Sequence, residues 1–138
     1  MKKEKDVIIL IAEDDNGHAD LIINGLQESG VRNELIRFEN GKELWDYLNK
    51  NKNSEHSYLI LLDIKMPIMD GIEVLEKIKK STEYKETPVI MLTTTDDPRE
   101  VKNCYALGCN AYITKPVNFS KFAEILKRLG LFIQIIKI

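Results

Sequence analysis

Apolar residues recur along the chain in two rhythms. Five short runs read as strands: VIILIA (7–12), NELIRFE (33–39), YLILL (58–62), PVIMLT (88–93) and NAYIT (110–114). Between and after them, apolar residues return every three or four positions, the spacing of one helix face. HADLIINGLQESG puts Leu21, Ile22, Gly25 and Leu26 on one side and stops at Gly30. GKELWDYLNK groups Leu44, Trp45 and Leu48, and GIEVLEKIKK aligns Ile72, Leu75 and Ile78. DDPREVKNCYALG opens with acids and Pro98 and closes on Gly108, the order expected of a helix start and stop. The last stretch, NFSKFAEILKRLGLFIQIIKI, keeps the helical spacing from Phe119 through Ile136, with Asn118 as its N-cap.

This is β-α repeated five times. Alternation of that kind predicts an α/β protein, a doubly wound parallel sheet with right-handed crossovers and helices on both faces. The runs at 7–12, 58–62 and 88–93 are continuously apolar, as strands covered on both sides are. The other two alternate more and read as edge strands. The polar stretch NKNSEH (51–56) reads as an exposed loop.

In such sheets the chemistry lies beyond the carboxyl ends of the strands. Four runs lead directly into reactive side chains. Glu13, Asp14 and Asp15 follow the first, Asp63 the third, Thr93, Thr94 and Thr95 close the fourth, and Lys115 follows the fifth. Taken singly, each has an ordinary explanation. An aspartate after a strand is most often a turn or helix cap, and Asp14 or Asp15 fits that role. Taken together, acids from two strands suit a hard cation such as Mg²⁺. Asp63 is then the carboxylate aimed at substrate, with a hydroxyl and an ammonium to meet phosphoryl oxygens.

Composition narrows the function classes. The 138 residues fit one domain, and the formal net charge of −2 offers no basic surface for a nucleic-acid backbone. The opening MKKEKD has no signal-peptide core, and no apolar stretch reaches the length of a membrane span. Two cysteines, Cys104 and Cys109, are too few for a disulfide framework or a structural zinc site, so free packing thiols and a cytoplasmic setting are expected.

The segments AEDD, LILLDIKMPIMDGIEVL, PVIMLTT and AYITKP, in that order across the chain, resemble the CheY-like receiver domain of two-component response regulators. The resemblance implies a flavodoxin-like sheet of strand order 2-1-3-4-5, with five helices on two faces. It implies that Asp63 accepts a phosphoryl group from a phosphohistidine on a sensor histidine kinase or histidine phosphotransfer protein. It implies a Mg²⁺ (or Mn²⁺) ion held by Asp14, Asp63 and the backbone carbonyl of Lys65. Glu13 follows Asp14 in rank, in an outer shell or through water, and Asp15 comes third. It implies that Thr93 and Lys115 contact the phosphoryl group. Thr93 and Tyr112 would form a switch that alters the face of the fourth helix, fifth strand and fifth helix. Thr94 stands where the family commonly has a small residue, and would narrow access. Pro116 suggests a fixed peptide that aims Lys115. The domain uses nearly the whole sequence, with a core over about 6–130 and an apolar helix extension over 118–138. Such a stand-alone regulator is a signalling protein, not an enzyme, although it catalyses its own phosphorylation and dephosphorylation.

The tail LGLFIQIIKI is apolar past the length a receiver needs, so Ile135, Ile136 and Ile138 predict a homodimer or partner contact. A similar tail, and a similar loop before the third strand, occur in regulators paired with bacterial phytochrome kinases. Tyr112 read without the family is an ordinary edge-strand aromatic. His18, on the solvent side of the first helix or near the site rim, and His56, in the exposed loop, read as surface residues. Two other functions fit parts of the pattern: a Mg²⁺-dependent aspartyl-phosphate phosphatase, and a receiver-like binding module that is never phosphorylated.

Overall fold

The computed structural model describes residues 7–131 and Ile135. Strands and helices alternate as β1 (Val7–Ala12), α1 (Asn16–Glu28), β2 (Leu35–Phe38), α2 (Gly41–Lys50), β3 (Ser57–Leu62), α3 (Gly71–Lys80), β4 (Val89–Thr93), α4 (Pro98–Leu107), β5 (Ala111–Thr114) and α5 (Phe119–Arg128). The strands form one parallel sheet in the order β2-β1-β3-β4-β5. This is the flavodoxin-like topology, and the crevice between β1 and β3 is where the winding reverses.

Strand geometry sends successive side chains to opposite faces, which splits the core in two. Ile8, Leu10, Ile60, Leu62 and Met91 meet α2, α3 and α4 through Leu44, Leu48, Val74, Leu75, Ile78 and Cys104. Ile9, Ile11, Leu59, Leu61, Ile90 and Ile113 meet α1 and α5 through Ile22, Leu26, Phe122, Ile125 and Leu126. The three continuously apolar runs become the central strands, buried on both sides, and β2 and β5 are the half-exposed edges. Cys104 and Cys109 are free and buried, consistent with a packing role.

Each helix begins at an Asp or Asn whose side chain accepts a backbone N–H of the first turn: Asp15, Asn40, Asp70, Asp97 and Asn118. Three helices end at a glycine in the left-handed region, Gly30, Gly108 and Gly130, with φ of 101°, 107° and 74°. In each, the next residue's N–H returns to a carbonyl five residues back: Val31 to Leu26 (3.1 Å), Cys109 to Cys104 (3.1 Å) and Leu131 to Leu126 (2.8 Å).

The third of these endings corrects the expected helix over 118–138, because α5 stops at Arg128. Ile135 is fully buried with Ile22, Leu26 and Phe122, so this one of the tail's three isoleucines faces the core. Ile136 and Ile138 lie outside the described residues. A second correction concerns Leu21, which is 69% exposed. The inward line of α1 runs through Ala19, Ile22 and Leu26. At about 100° per residue, Leu21 stands about 200° around from Ala19.

Candidate functional site

The sheet register brings the strand ends to one level. Ala12 pairs with Leu62, so Glu13 and Asp63 leave neighbouring strands side by side. Their N–H groups donate to Phe38 and Ala12 carbonyls, both at 3.0 Å, extending the ladder by one step. At the other end of the sheet Thr93 pairs with Thr114, and the Lys115 N–H donates to the Thr93 carbonyl at 2.8 Å.

Side chains then converge from these ends. The Lys115 ammonium donates to Asp63 Oδ2 at 3.0 Å and to Glu13 Oε1, and stands 3.1 Å from His18 Nδ1. Asp63 Oδ1 accepts the N–H of Ile64 at 2.7 Å, and Glu13 Oε2 accepts the N–H of Asp15 at 3.1 Å. Glu13, Asp63 and Thr93 are buried, whereas Asp14 is exposed. Glu13, Asp14 and Asp63 each offer a carboxylate oxygen within 4.8 Å of the others. Three carboxylates against one ammonium leave an excess of negative charge at an open mouth.

Burial alone would pull the Lys115 ammonium towards neutrality. Its bonds to Glu13 and Asp63 outweigh that and hold its pKa above the usual lysine value. Burial raises the Glu13 pKa, with Asp63 adding repulsion, and this prevails over the stabilising bonds from Lys115 and the Asp15 N–H. The pocket therefore keeps its cation and strains its acids, which is the condition under which a second cation is welcome.

Asp15 belongs elsewhere. Its Oδ1 accepts the His18 N–H at 2.8 Å and caps α1, and that bond holds its pKa below the ordinary carboxylate value. Asp15 thus takes the helix-capping role, and the three acids whose oxygens converge are Glu13, Asp14 and Asp63. Lys65 is exposed and lines an open depression together with Asp14. Tyr112 packs against the α2–α3–α4 side of the core and donates its hydroxyl to the Thr95 carbonyl at 2.8 Å. The Lys115–Pro116 peptide is cis. Exposed Thr94 lies on the rim of a groove of about 340 Å³ with His18, Leu21, Pro116 and Phe119.

One contributor was not singled out in the sequence, and the contact of a second was not foreseen. Arg37, at the end of β2, places Nε and Nη2 on the Glu13 carbonyl at 2.9 and 2.7 Å, and Nη1 on Asn16 Oδ1 at 2.8 Å. It clamps the acidic turn to the neighbouring strand. His18, expected on the surface, is half-exposed but touches the buried lysine. Neither contact was visible because the partners lie 24 and 97 residues away. Asp63 is itself fixed from behind. The Gly71 N–H donates to the Ile64 carbonyl at 2.8 Å, and a Cβ on Gly71 would stand 2.0 Å from the Asp63 carbonyl oxygen.

The model of the response regulator receiver domain matches residues 9–127. The chain belongs to this family. Response regulator Rcp1 of Synechocystis is 33% identical over 128 residues, 91% of this chain and 87% of the relative. A solved structure of Rcp1 in its Mn²⁺-bound form superposes with a TM-score of 0.74, covering 90% of this chain and 94% of that one. A receiver domain from Rhodospirillum rubrum is 44% identical, with a TM-score of 0.76 and coverage of 91% and 92%. The phosphorylated cyanobacterial phytochrome response regulator RcpA is 34% identical, with a TM-score of 0.74 and 94% coverage of both chains. This receiver is thus a response regulator domain of two-component signalling, with phytochrome-associated regulators among its structural neighbours. Among its described residues no helix is long and apolar enough to cross a membrane.

Proposed function

We propose that this receiver is a phosphorylation switch, with Asp63 as the phospho-acceptor. The observation that carries the reading is the Lys115 ammonium bonded to Asp63 Oδ2 inside a pocket with three convergent carboxylates. An Asp63 oxygen attacks the phosphorus of a phosphohistidine on a histidine kinase or phosphotransfer protein. The P–N bond breaks, its electron pair returns to the donor imidazole, and an acyl phosphate forms. Little acid–base work is needed, since the donor is already activated, so placement and charge carry the rate. Lys115 stands ready to neutralise a phosphoryl oxygen.

The donor set fits Mg²⁺ or Mn²⁺, because it consists of carboxylate oxygens at a negatively charged, open mouth. Asp14, Asp63 and the Lys65 carbonyl would hold the ion, with Glu13 behind them, and its charge would lower repulsion between the phosphoryl group and Asp63. The Mn²⁺-bound form of Rcp1 and the phosphorylated form of RcpA support this assignment by analogy.

The Thr93 hydroxyl then takes a phosphoryl oxygen. Tyr112 gives up the Thr95 carbonyl and turns into the space that Thr93 leaves, and the α4-β5-α5 face changes for a downstream protein or a second copy of the chain. The test is incubation with acetyl phosphate and Mg²⁺ followed by intact-mass measurement. One added phosphoryl group is expected, absent in Asp63→Asn and absent when the metal is chelated. A parent protein that gains no mass, or gains it equally as Asp63→Asn, sinks the reading, and continuous phosphate release without an adduct replaces it with a phosphatase.

A further inference from the structure

An ammonium has three N–H donors, and three acceptors stand around Lys115: Glu13 Oε1, Asp63 Oδ2 at 3.0 Å and His18 Nδ1 at 3.1 Å. Two are the acids of the site. The third comes from the first turn of α1 and lies at the mouth of the groove. We propose that His18 is a positioning residue for phosphoryl transfer: its unprotonated Nδ1 takes the third N–H of Lys115 and so fixes the direction of the other two. The proposal rests on Asp63 being the acceptor.

The chemistry follows from the partners. Lysine is a point charge on a flexible stem, able to turn about its last bond. Each acceptor deepens the well that holds the ammonium in place, and the third adds to the two acids by opposing its drift away from His18. Because the ammonium only donates, the facing nitrogen must accept, which places the imidazole proton on Nε2. His18 is itself held, since its backbone N–H is the one that Asp15 caps at 2.8 Å. A chain of contacts thus runs from Asp15 through His18 and Lys115 to Asp63. It gives the third acid of the opening cluster a part in the site without making it a metal ligand.

The test compares His18→Ala, His18→Asn and His18→Gln with the parent, using acetyl phosphate, Mg²⁺ and a mass-spectrometric time course. Ala should slow phosphorylation about five-fold, the size of one hydrogen bond. Asn, whose Oδ1 sits at the same bond separation from Cβ as Nδ1, should restore most of the rate. Gln, which reaches one bond further, should not. Equal rates in all four proteins, or rescue by Gln and not Asn, overturn the proposal. A second readout is independent of turnover: the imidazole ¹⁵N shifts should show the Nε2–H form in the parent and a redistribution in Lys115→Ala. An unchanged tautomer in Lys115→Ala overturns it as well. A parent that takes no phosphoryl group sinks the functional reading instead, and the ¹⁵N measurement still decides the contact.

Discussion

At the scale of single residues, the site shows which properties of a side chain its neighbours in sequence determine and which they do not. Asp14 and Asp15 are adjacent, exposed and chemically identical, yet one joins the acidic cluster and the other caps a helix. The difference comes from α1 starting at Asn16. Ile68, in the loop behind Asp63, makes a clearer case. It is 74% exposed and has φ of 69°, with the Met69 N–H turned back to the Pro67 carbonyl at 2.7 Å. A left-handed backbone costs an L-residue about 1–2 kcal/mol and suits a β-branched side chain worst. With the Met69 N–H bonded across it to Pro67, Ile68 is the centre of a strained γ-turn, a conformation glycine enters without a Cβ penalty, and little buried area is lost at so open a position. Ile68→Gly should therefore raise unfolding stability by about 1 kcal/mol in urea titration, while Ile68→Val leaves it unchanged. A destabilised Gly variant would mean that the isoleucine side chain makes a contact worth more than the backbone strain.

At the scale of elements, helix ends do most of the positioning. The start of α3 is pressed against the acceptor's own peptide, with the Gly71 Cα where no Cβ fits. The obstructing atom is a backbone oxygen, so rotamer adjustment gives no relief. Gly71→Ala should lower stability by roughly 3 kcal/mol, the scale of overpacking at a rigid contact, and slow phosphoryl uptake by moving Asp63. A variant with unchanged urea midpoint and uptake would show that α3 shifts freely. Elements of this kind were legible where the local signal stood alone. The five apolar runs, the cap at Asn118 and the stops at Gly30 and Gly108 all read correctly from composition and spacing. Gly130 carries the same stop, but Leu129 and Leu131 beside it continue the apolar spacing, and periodicity concealed the break. The convergence of Lys115 on Glu13 and Asp63 followed from the rule for strand ends, since parallel strands share their carboxyl side. The clamp of Arg37 and the contact of His18 depend on register between strands and on helix rotation, which spacing along one chain does not encode.

At the scale of the molecule, the two core layers divide the labour. α2, α3 and α4 cover one face of the sheet, and α1 with α5 covers the other, so the α4-β5-α5 surface straddles both layers at an edge strand. Tyr112 sits on that edge, which is where a local change has the least packing to oppose it. Of the tail's isoleucines, Ile135 lies on the α1 and α5 side of the sheet. Had the tail's isoleucines all faced outward, a homodimer would follow from exposed apolar area alone. Ile135 instead has no exposed surface, lies among Ile22, Leu26 and Phe122, and donates its N–H to the Leu131 carbonyl at 3.1 Å. It serves the core of its own domain. Truncating a fully buried isoleucine costs about 2–5 kcal/mol through lost transfer energy and the cavity left behind. Ile135→Ala should therefore lower the urea midpoint substantially at every protein concentration, with an unchanged sedimentation profile. A stability loss that appears only at high concentration, together with a shift towards monomer, would assign the side chain to a subunit interface and restore the tail as a dimer contact. The concentration dependence discriminates because burial within one chain is unimolecular, whereas burial between two is governed by mass action.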